Sequence, residues 1–179
     1  LKIRVNHPTP AIVAQTSVRR LPRLALLLLC LAFIAAGFIG RDAWRSADLS
    51  ALGFMAALSR GEASWWYPTM LGVAPDFPSL LPYWLGAWAL QLAPPGVNSD
   101  FWVRIPFILL LTLAFVSTWY GSYYLARTPA AQPVAFAFGG EAHPTDYARA
   151  MADGGLLAFM ASLGLAQLSH ETTPALAQL

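Results

Sequence analysis

Charged side chains are scarce in this sequence of 179 residues, of which lysine, arginine, aspartate and glutamate together make up 11%. Soluble domains carry about 25% charged residues, so the scarcity argues against an ordinary soluble domain. The net charge of +2 also argues against a nucleic-acid partner, because nucleic-acid-binding proteins present a concentrated basic surface. Hydrophobic residues make up 57% of the chain and cluster in runs, which predicts an integral membrane protein.

Cysteine occurs once, as Cys30, which excludes an intramolecular disulfide and a cysteine metal cluster. Because Cys30 lies inside an apolar run, we expect it to pack as a small hydrophobic side chain. Internal repeats, Walker loops, zinc-protease motifs, Gly-x-Ser-x-Gly and Cys-x-x-Cys are also absent from the sequence. Any chemistry must therefore come from scattered acids and arginines.

The chain begins with a basic segment, residues 1–23, which contains no acid. The nearly uncharged residues 24–40 follow, and with their flanks they approach the ~20 residues needed to cross a bilayer. A cleaved signal peptide is the alternative, but no small-x-small cleavage site with a polar mature domain follows. Basic flanks stay in the cytoplasm, so we expect a cytoplasmic lead-in, a first transmembrane helix and an exit on the far face.

Residues 41–79 form a long polar and aromatic segment between apolar runs, and we expect an exposed loop. Apolar residues at positions 49, 52, 55 and 58 predict a short helix over residues 48–60, with Asp48 as its N-cap and Gly61 as its stop. Such a helix suits the membrane surface. The aromatic side chains of Trp65, Trp66 and Tyr67 suit the headgroup level.

Residues 80–168 hold the further transmembrane helices and a connecting loop. The candidate runs are residues 80–92, 101–126 and 154–168, of which 101–126 is the strongest. The sequence thus predicts an all-α, polytopic fold of three or four membrane spans, with the juxtamembrane helix in the first exposed loop. Residues 169–179 are interpreted as a truncated end, and we expect a fragment of a longer protein.

Three aspartates are candidates for a catalytic base. Asp42 and Asp48 lie at the water end of the first span, where a carboxylate can take a proton from an incoming hydroxyl or amine. Asp153 precedes the last apolar run, and acids that enter a membrane are usually functional. The alternatives are structural, because Asp48 and Asp153 stand where helix caps are expected and Asp42 can pair with Arg41 or Arg45.

Two arginines and a polar cluster are candidates for ligand binding. Arg41 and Arg45 can hold the phosphate of a lipid-linked donor, since guanidinium binds phosphate bidentately. Attraction to anionic headgroups is the alternative for these arginines. Glu141, His143 and Asp146 can ligate a divalent metal ion, although their spacing matches no standard motif and a polar loop explains them equally well.

Four stretches of the sequence, taken in order, are similar to one enzyme family. Residues 40–48, Gly-Arg-Asp-Ala-Trp-Arg-Ser-Ala-Asp, resemble the loop that leads to its acidic Asp-Glu motif. Residues 70–85, 101–106 and 147–153 resemble its proline-rich Tyr-Trp-Leu pattern, its Arg-Leu-Pro motif and the segment with its second aspartate. The chain therefore resembles the N-terminal part of the family 39 membrane glycosyltransferases, GT-C-fold enzymes related to protein O-mannosyltransferases and the lipid A aminoarabinose transferase.

The resemblance implies inverting transfer of a sugar from a polyprenyl-phosphate donor to a lipid or protein acceptor. It implies a bacterial inner-membrane protein whose exposed loop is periplasmic or extracellular. An aspartate of that loop would deprotonate the acceptor, while arginines or a divalent metal ion stabilise the departing phosphate. Ala47-Asp48 replaces the family's Asp-Glu pair, and Phe77-Pro78 replaces a Glu-Lys pair, which removes a cation.

The alternatives to this enzyme are a non-catalytic polytopic membrane protein and an inactive relative of the family. Both leave the aspartates with structural roles only. Because the resemblance covers only residues 24–168 and only the N-terminal part of such an enzyme, we expect this segment to be inactive by itself.

Overall fold

The computed structural model of the protein describes residues 11–40, 46–162, 170–173 and 176. Within these residues the chain is all-α and contains no strand, which confirms the predicted fold class. The helices are α1 (Arg23–Phe38), α2 (Ser46–Ser59), α3 (Leu81–Gln91), α4 (Ser99–Trp102), α5 (Ile105–Ala126) and α6 (Pro144–Ala161). Single 3-10 turns occupy Gln15–Ser17 and Pro129–Ala131.

In the described part of the chain, one stretch is long and apolar enough to cross a membrane. It runs over Ser99–Ala126, which includes α4 and α5, and its most apolar window has a mean hydropathy of 1.9. α1 has 16 residues and α3 has 11, so at 1.5 Å per residue neither spans ~30 Å of hydrocarbon by itself. Three or four spans therefore stay a prediction.

The apolar helices α1 and α5 leave much of their surface uncovered. Only 28% of the most apolar window of Ser99–Ala126 is buried, whereas the core helix of a soluble protein is mostly buried. The leucines of α1 and α5 that are more than half exposed are Leu24, Leu27, Leu28, Leu31, Leu109, Leu113 and Leu125. An apolar surface of this kind marks contact with lipid or with another protein.

The chain divides into two compact units, whose boundaries fall within α1 and α5 and near the end of α6. The first comprises Leu1–Leu27 and Val116–Phe159, and the second comprises Leu28–Phe115 and Met160–Leu179. In the second unit, α2 packs along α3. The core between these two helices contains Met55, Leu58, Tyr83 and Ala87, all nearly inaccessible to solvent.

The predicted juxtamembrane helix is confirmed as α2, although it begins at Ser46 rather than at Asp48. Its end is the predicted one, because Gly61 adopts a φ of 74°. The N–H groups of Gly61 and Glu62 donate to the carbonyls of Leu58 and Ala57 at 3.1 and 2.9 Å, which is the hydrogen-bond pattern of a glycine-terminated helix. Asp48 therefore lies inside the first turn and is not the N-cap.

The buried face of α2 differs from the predicted one. Ala51, Phe54, Met55 and Leu58 are buried, whereas Leu49 is half exposed. Apolar residues occur on both sides of this helix, so their spacing alone could not identify the face that packs on α3.

The last described helix begins ten residues before the predicted apolar run. α6 begins at Pro144, a residue that suits the first helical position because its missing N–H has no helical partner there. Ala148, Ala152 and Leu156 form the buried stripe of α6. The prediction that Asp153 caps a helix is therefore wrong, since Asp153 lies in the interior of α6.

Candidate functional site around Asp48

Asp48 lies in the first turn of α2 with only 6% of its surface exposed. Its Oδ1 accepts hydrogen bonds from the backbone N–H of Thr172, at 3.0 Å, and from the Thr172 hydroxyl. A buried carboxylate needs such donors because burial removes its hydration, and the N-terminal end of a helix also favours a negative charge. Among the described residues, none donates a hydrogen bond to Oδ2.

The segment 170–173 supplies the other groups around Asp48. Glu171, Thr172 and Thr173 are all buried. The His170 ring packs on Phe33 and Phe38, with centroid distances of 4.7 and 5.6 Å. This segment therefore holds Asp48 from one side while its own histidine is fixed against α1.

A glycine of α1 makes room for this segment. A Cβ atom on Gly37 would overlap the His170 ring, so any larger residue at position 37 would displace the histidine. The sequence analysis did not identify this role, because nothing in the local pattern of α1 points to a partner more than a hundred residues away.

Arg104, which the sequence analysis used only as part of a resemblance, is also buried, with 5% of its surface exposed. Its Nη2 donates to the Asp100 carboxylate at 2.9 Å, and its Nη1 donates to the Phe38 carbonyl at 3.4 Å. Arg104 thus ties the beginning of α5 to the end of α1. A charged residue directly before a long apolar run is the sequence signal that could have singled it out.

Comparisons with protein-family models, with curated proteins and with solved structures found no match. A fold alone does not identify a function. The chemistry of this chain must therefore be argued from its own residues.

The predicted residues Arg41, Asp42 and Arg45 lie outside the described part of the chain. The phosphate-binding role of the two arginines and the basic role of Asp42 stay predictions. Asp48 is thus the residue of the predicted acidic loop whose surroundings can be described.

The third predicted catalytic acid, Asp153, belongs to the first unit and is 3% exposed. Its Oδ1 accepts from the Trp119 indole at 2.9 Å, and its Oδ2 accepts from the Leu21 backbone N–H at 3.1 Å. The Arg149 side chain donates to the Leu21 carbonyl at 3.4 Å. Because both carboxylate oxygens are engaged, Asp153 fastens the segment before α1 to α6.

The predicted metal ligands Glu141, His143 and Asp146 also lie in the first unit. Asp146 contacts Arg20 and Gln15, each at 3.0 Å, and Glu141 accepts weakly from a backbone N–H at 3.4 Å. Glu141 and His143 line a cavity of about 440 Å³. No three histidine, cysteine, aspartate or glutamate side chains of the described residues are grouped so as to hold a metal ion, so the three predicted ligands do not converge.

Proposed function

We propose that this chain is part of a membrane glycosyltransferase that moves a sugar from a polyprenyl-phosphate donor to a lipid or protein acceptor. Asp48 is the general base in this proposal. The observation that supports it is the carboxylate geometry, in which Thr172 holds Oδ1 and Oδ2 accepts no hydrogen bond from the described residues. A base positioned in this way contributes roughly 10²–10⁴-fold to a rate.

The reaction follows from that geometry. Asp48 Oδ2 takes the proton from an acceptor hydroxyl or amine, whose oxygen or nitrogen then forms a bond to the anomeric carbon of the sugar. The bond between that carbon and the phosphate oxygen breaks, the electron pair leaves with the polyprenyl phosphate, and attack from the opposite side inverts the anomeric configuration. Arg41 and Arg45 stabilise the charge on the departing phosphate.

A divalent metal ion is not part of this proposed mechanism. The residues predicted to bind it, Glu141, His143 and Asp146, do not converge on one point, and Arg20 and Gln15 already occupy the Asp146 carboxylate. The two arginines therefore provide the positive charge at the phosphate.

The proposed location is the bacterial inner membrane. We place the first span at α1 with its flanks and another at Ser99–Ala126, and we assign a third to the run 154–168, which is only partly described. The exposed leucines of α1 and α5 support contact with lipid. The basic lead-in then stays in the cytoplasm, and α2 lies on the periplasmic or extracellular face.

The test uses membranes from cells that express the complete gene containing this segment. Radiolabelled undecaprenyl-phosphate mannose and undecaprenyl-phosphate aminoarabinose serve as donors, with the lipids and proteins of those membranes as acceptors. Asp48→Asn should lower transfer about 100-fold or more, because the amide cannot accept the proton as a base. Asp153→Asn, normalised to folded protein, should leave the turnover largely unchanged.

A non-catalytic membrane protein or an inactive relative is the second candidate. The hydrogen bonds from Thr172 to Asp48 support it, because they fasten segment 170–173 to α2 with no need for catalysis. Transfer that survives both Asp48→Asn and Asp42→Asn would eliminate the catalytic assignment and favour this candidate.

A further inference from the structure

An uncharged apolar loop lies between α2 and α3. Residues 63–75 contain no lysine, arginine, aspartate or glutamate, although Glu62 and Asp76 flank them directly. Within this stretch Trp66 is 69% exposed and Tyr67 82% exposed. Large apolar side chains thus face outward in a segment where a water-exposed loop would carry polar ones.

The tip of this loop is a tight turn with an unfavourable backbone. Met70 and Val73 exchange two backbone hydrogen bonds at 2.9 and 3.0 Å, with Leu71 and Gly72 between them. Both central residues have positive φ, 53° for Leu71 and 80° for Gly72, as a two-residue hairpin turn requires. Asparagine or glycine normally occupies the first of these positions, because a branched side chain is strained there.

The strained residue is also the most exposed one. Leu71 is 99% exposed, and its neighbour Val73 is 65% exposed. An asparagine at position 71 would relieve both the backbone strain and the exposure of an apolar side chain to water. A leucine held in this conformation therefore indicates that its side chain is covered by a partner.

The loop is held in place by the two helices beneath it. The Trp84 indole of α3 donates to the Trp65 carbonyl at 2.8 Å, and the Trp65 ring stacks on Trp88 with a centroid distance of 6.2 Å. On α2, a Cβ at Gly53 would come within 3.0 Å of the Met70 sulfur. The exposed side chains therefore project from a supported platform.

The chemistry of these side chains identifies the partner as lipid. Tryptophan and tyrosine, with an apolar ring and a polar edge, are favoured at the headgroup level of a bilayer. The absence of charge means that no ion must be dehydrated on insertion, and the same chain carries an apolar helix long enough to cross a membrane. A protein partner would be expected to meet charged groups at the rim of the contact.

We infer that residues 66–73, the hairpin tip, insert into the boundary between headgroups and acyl chains of a bilayer. The tip then anchors the α2–α3 pair at the membrane surface. Because it lacks basic residues, it inserts into uncharged lipid and depends little on ionic strength. This inference does not depend on glycosyltransferase activity.

The test uses the full chain with Cys30→Ser, reconstituted into vesicles of dioleoyl-phosphatidylcholine. An environment-sensitive fluorophore is attached to Leu71→Cys, and Glu62→Cys in the same loop is the matched control. The label at position 71 should be quenched by nitroxide-labelled acyl chains and protected from iodide in water. The label at position 62 should show the opposite behaviour.

A second variant separates insertion from folding. With the label on Val73→Cys, adding Leu71→Asn should reduce quenching by lipid nitroxides about twofold or more, while the thermal midpoint in detergent stays the same or rises. Equal iodide quenching at positions 71 and 62 would overturn the inference. So would protection at position 71 that varies with protein concentration, which would indicate a second copy of the chain.

Discussion

The two buried aspartates of the described chain differ in how their oxygens are used. Asp153 has both carboxylate oxygens occupied, by Trp119 and by Leu21, whereas Asp48 is held through Oδ1 by Thr172. This difference assigns a structural role to Asp153 and leaves a possible base at Asp48. The sequence predicted a helix cap as the structural role of each residue, and neither occupies a cap position.

Asp153→Ala should destabilise the first unit. The change leaves the Trp119 indole N–H and the Leu21 backbone N–H without their acceptor, and each such buried group costs about 1–3 kcal/mol. Hydrogen exchange at the Leu21 amide should become faster, and the free energy of unfolding should fall. Glu62→Ala is the control, because its exposed ion pair with Arg60 contributes less than about 1 kcal/mol; equal losses for the two variants would contradict the structural role.

Helix packing in the second unit depends on a glycine that local sequence does not explain. Gly86 of α3 faces α2 so closely that a Cβ atom would overlap the side chain of Met55, which is fully buried. Small residues allow two helices to approach in this way. The close contact in turn supports both the Asp48 end of α2 and the hairpin tip.

Gly86→Ala should weaken the α2–α3 contact. Overpacking of this kind costs about 1–3 kcal/mol, which thermal unfolding in detergent followed by circular dichroism would detect. In Gly121→Ala the new methyl group meets open space, so that variant should be unchanged or more stable by up to ~1 kcal/mol. Adding Met55→Ala to Gly86→Ala should restore space; failure of this double variant to recover any packing contacts would argue against steric overlap.

α6 uses polar residues of one face to hold the segment before α1. Asp146, Arg149 and Asp153 lie three and four residues apart and contact Arg20 or Leu21. This spacing places them on one side of a helix. The residues that sequence analysis divided between a metal site and a catalytic site thus share one structural task.

On the scale of the whole molecule, the uncovered apolar surface of α5 requires an environment other than water. Leu109 and Leu113 are exposed at its middle, and Ser99–Ala126 has the length of a membrane span. A bilayer covers this surface without any further protein contact.

Leu113→Arg should therefore impair membrane insertion. An arginine in place of leucine at the centre of a span costs about 3 kcal/mol on insertion scales, so the fraction of protein that resists alkaline carbonate extraction should fall. Leu92→Arg is the control, since Leu92 is exposed just after α3 and outside the proposed spans. If the two variants behave alike, α5 does not lie in lipid.

Local pattern was enough to predict the helical class, the strongest apolar span and the end of α2 at Gly61. Those features depend on hydropathy and backbone preference over a few neighbouring residues. The partners of the acids could not be read in this way, because Asp48 meets Thr172 across 124 positions and Asp153 meets Leu21 across 132. Such contacts arise when packed helices bring distant segments together, and the apolar residues on both sides of α2 left even its buried face to be chosen by its neighbour α3.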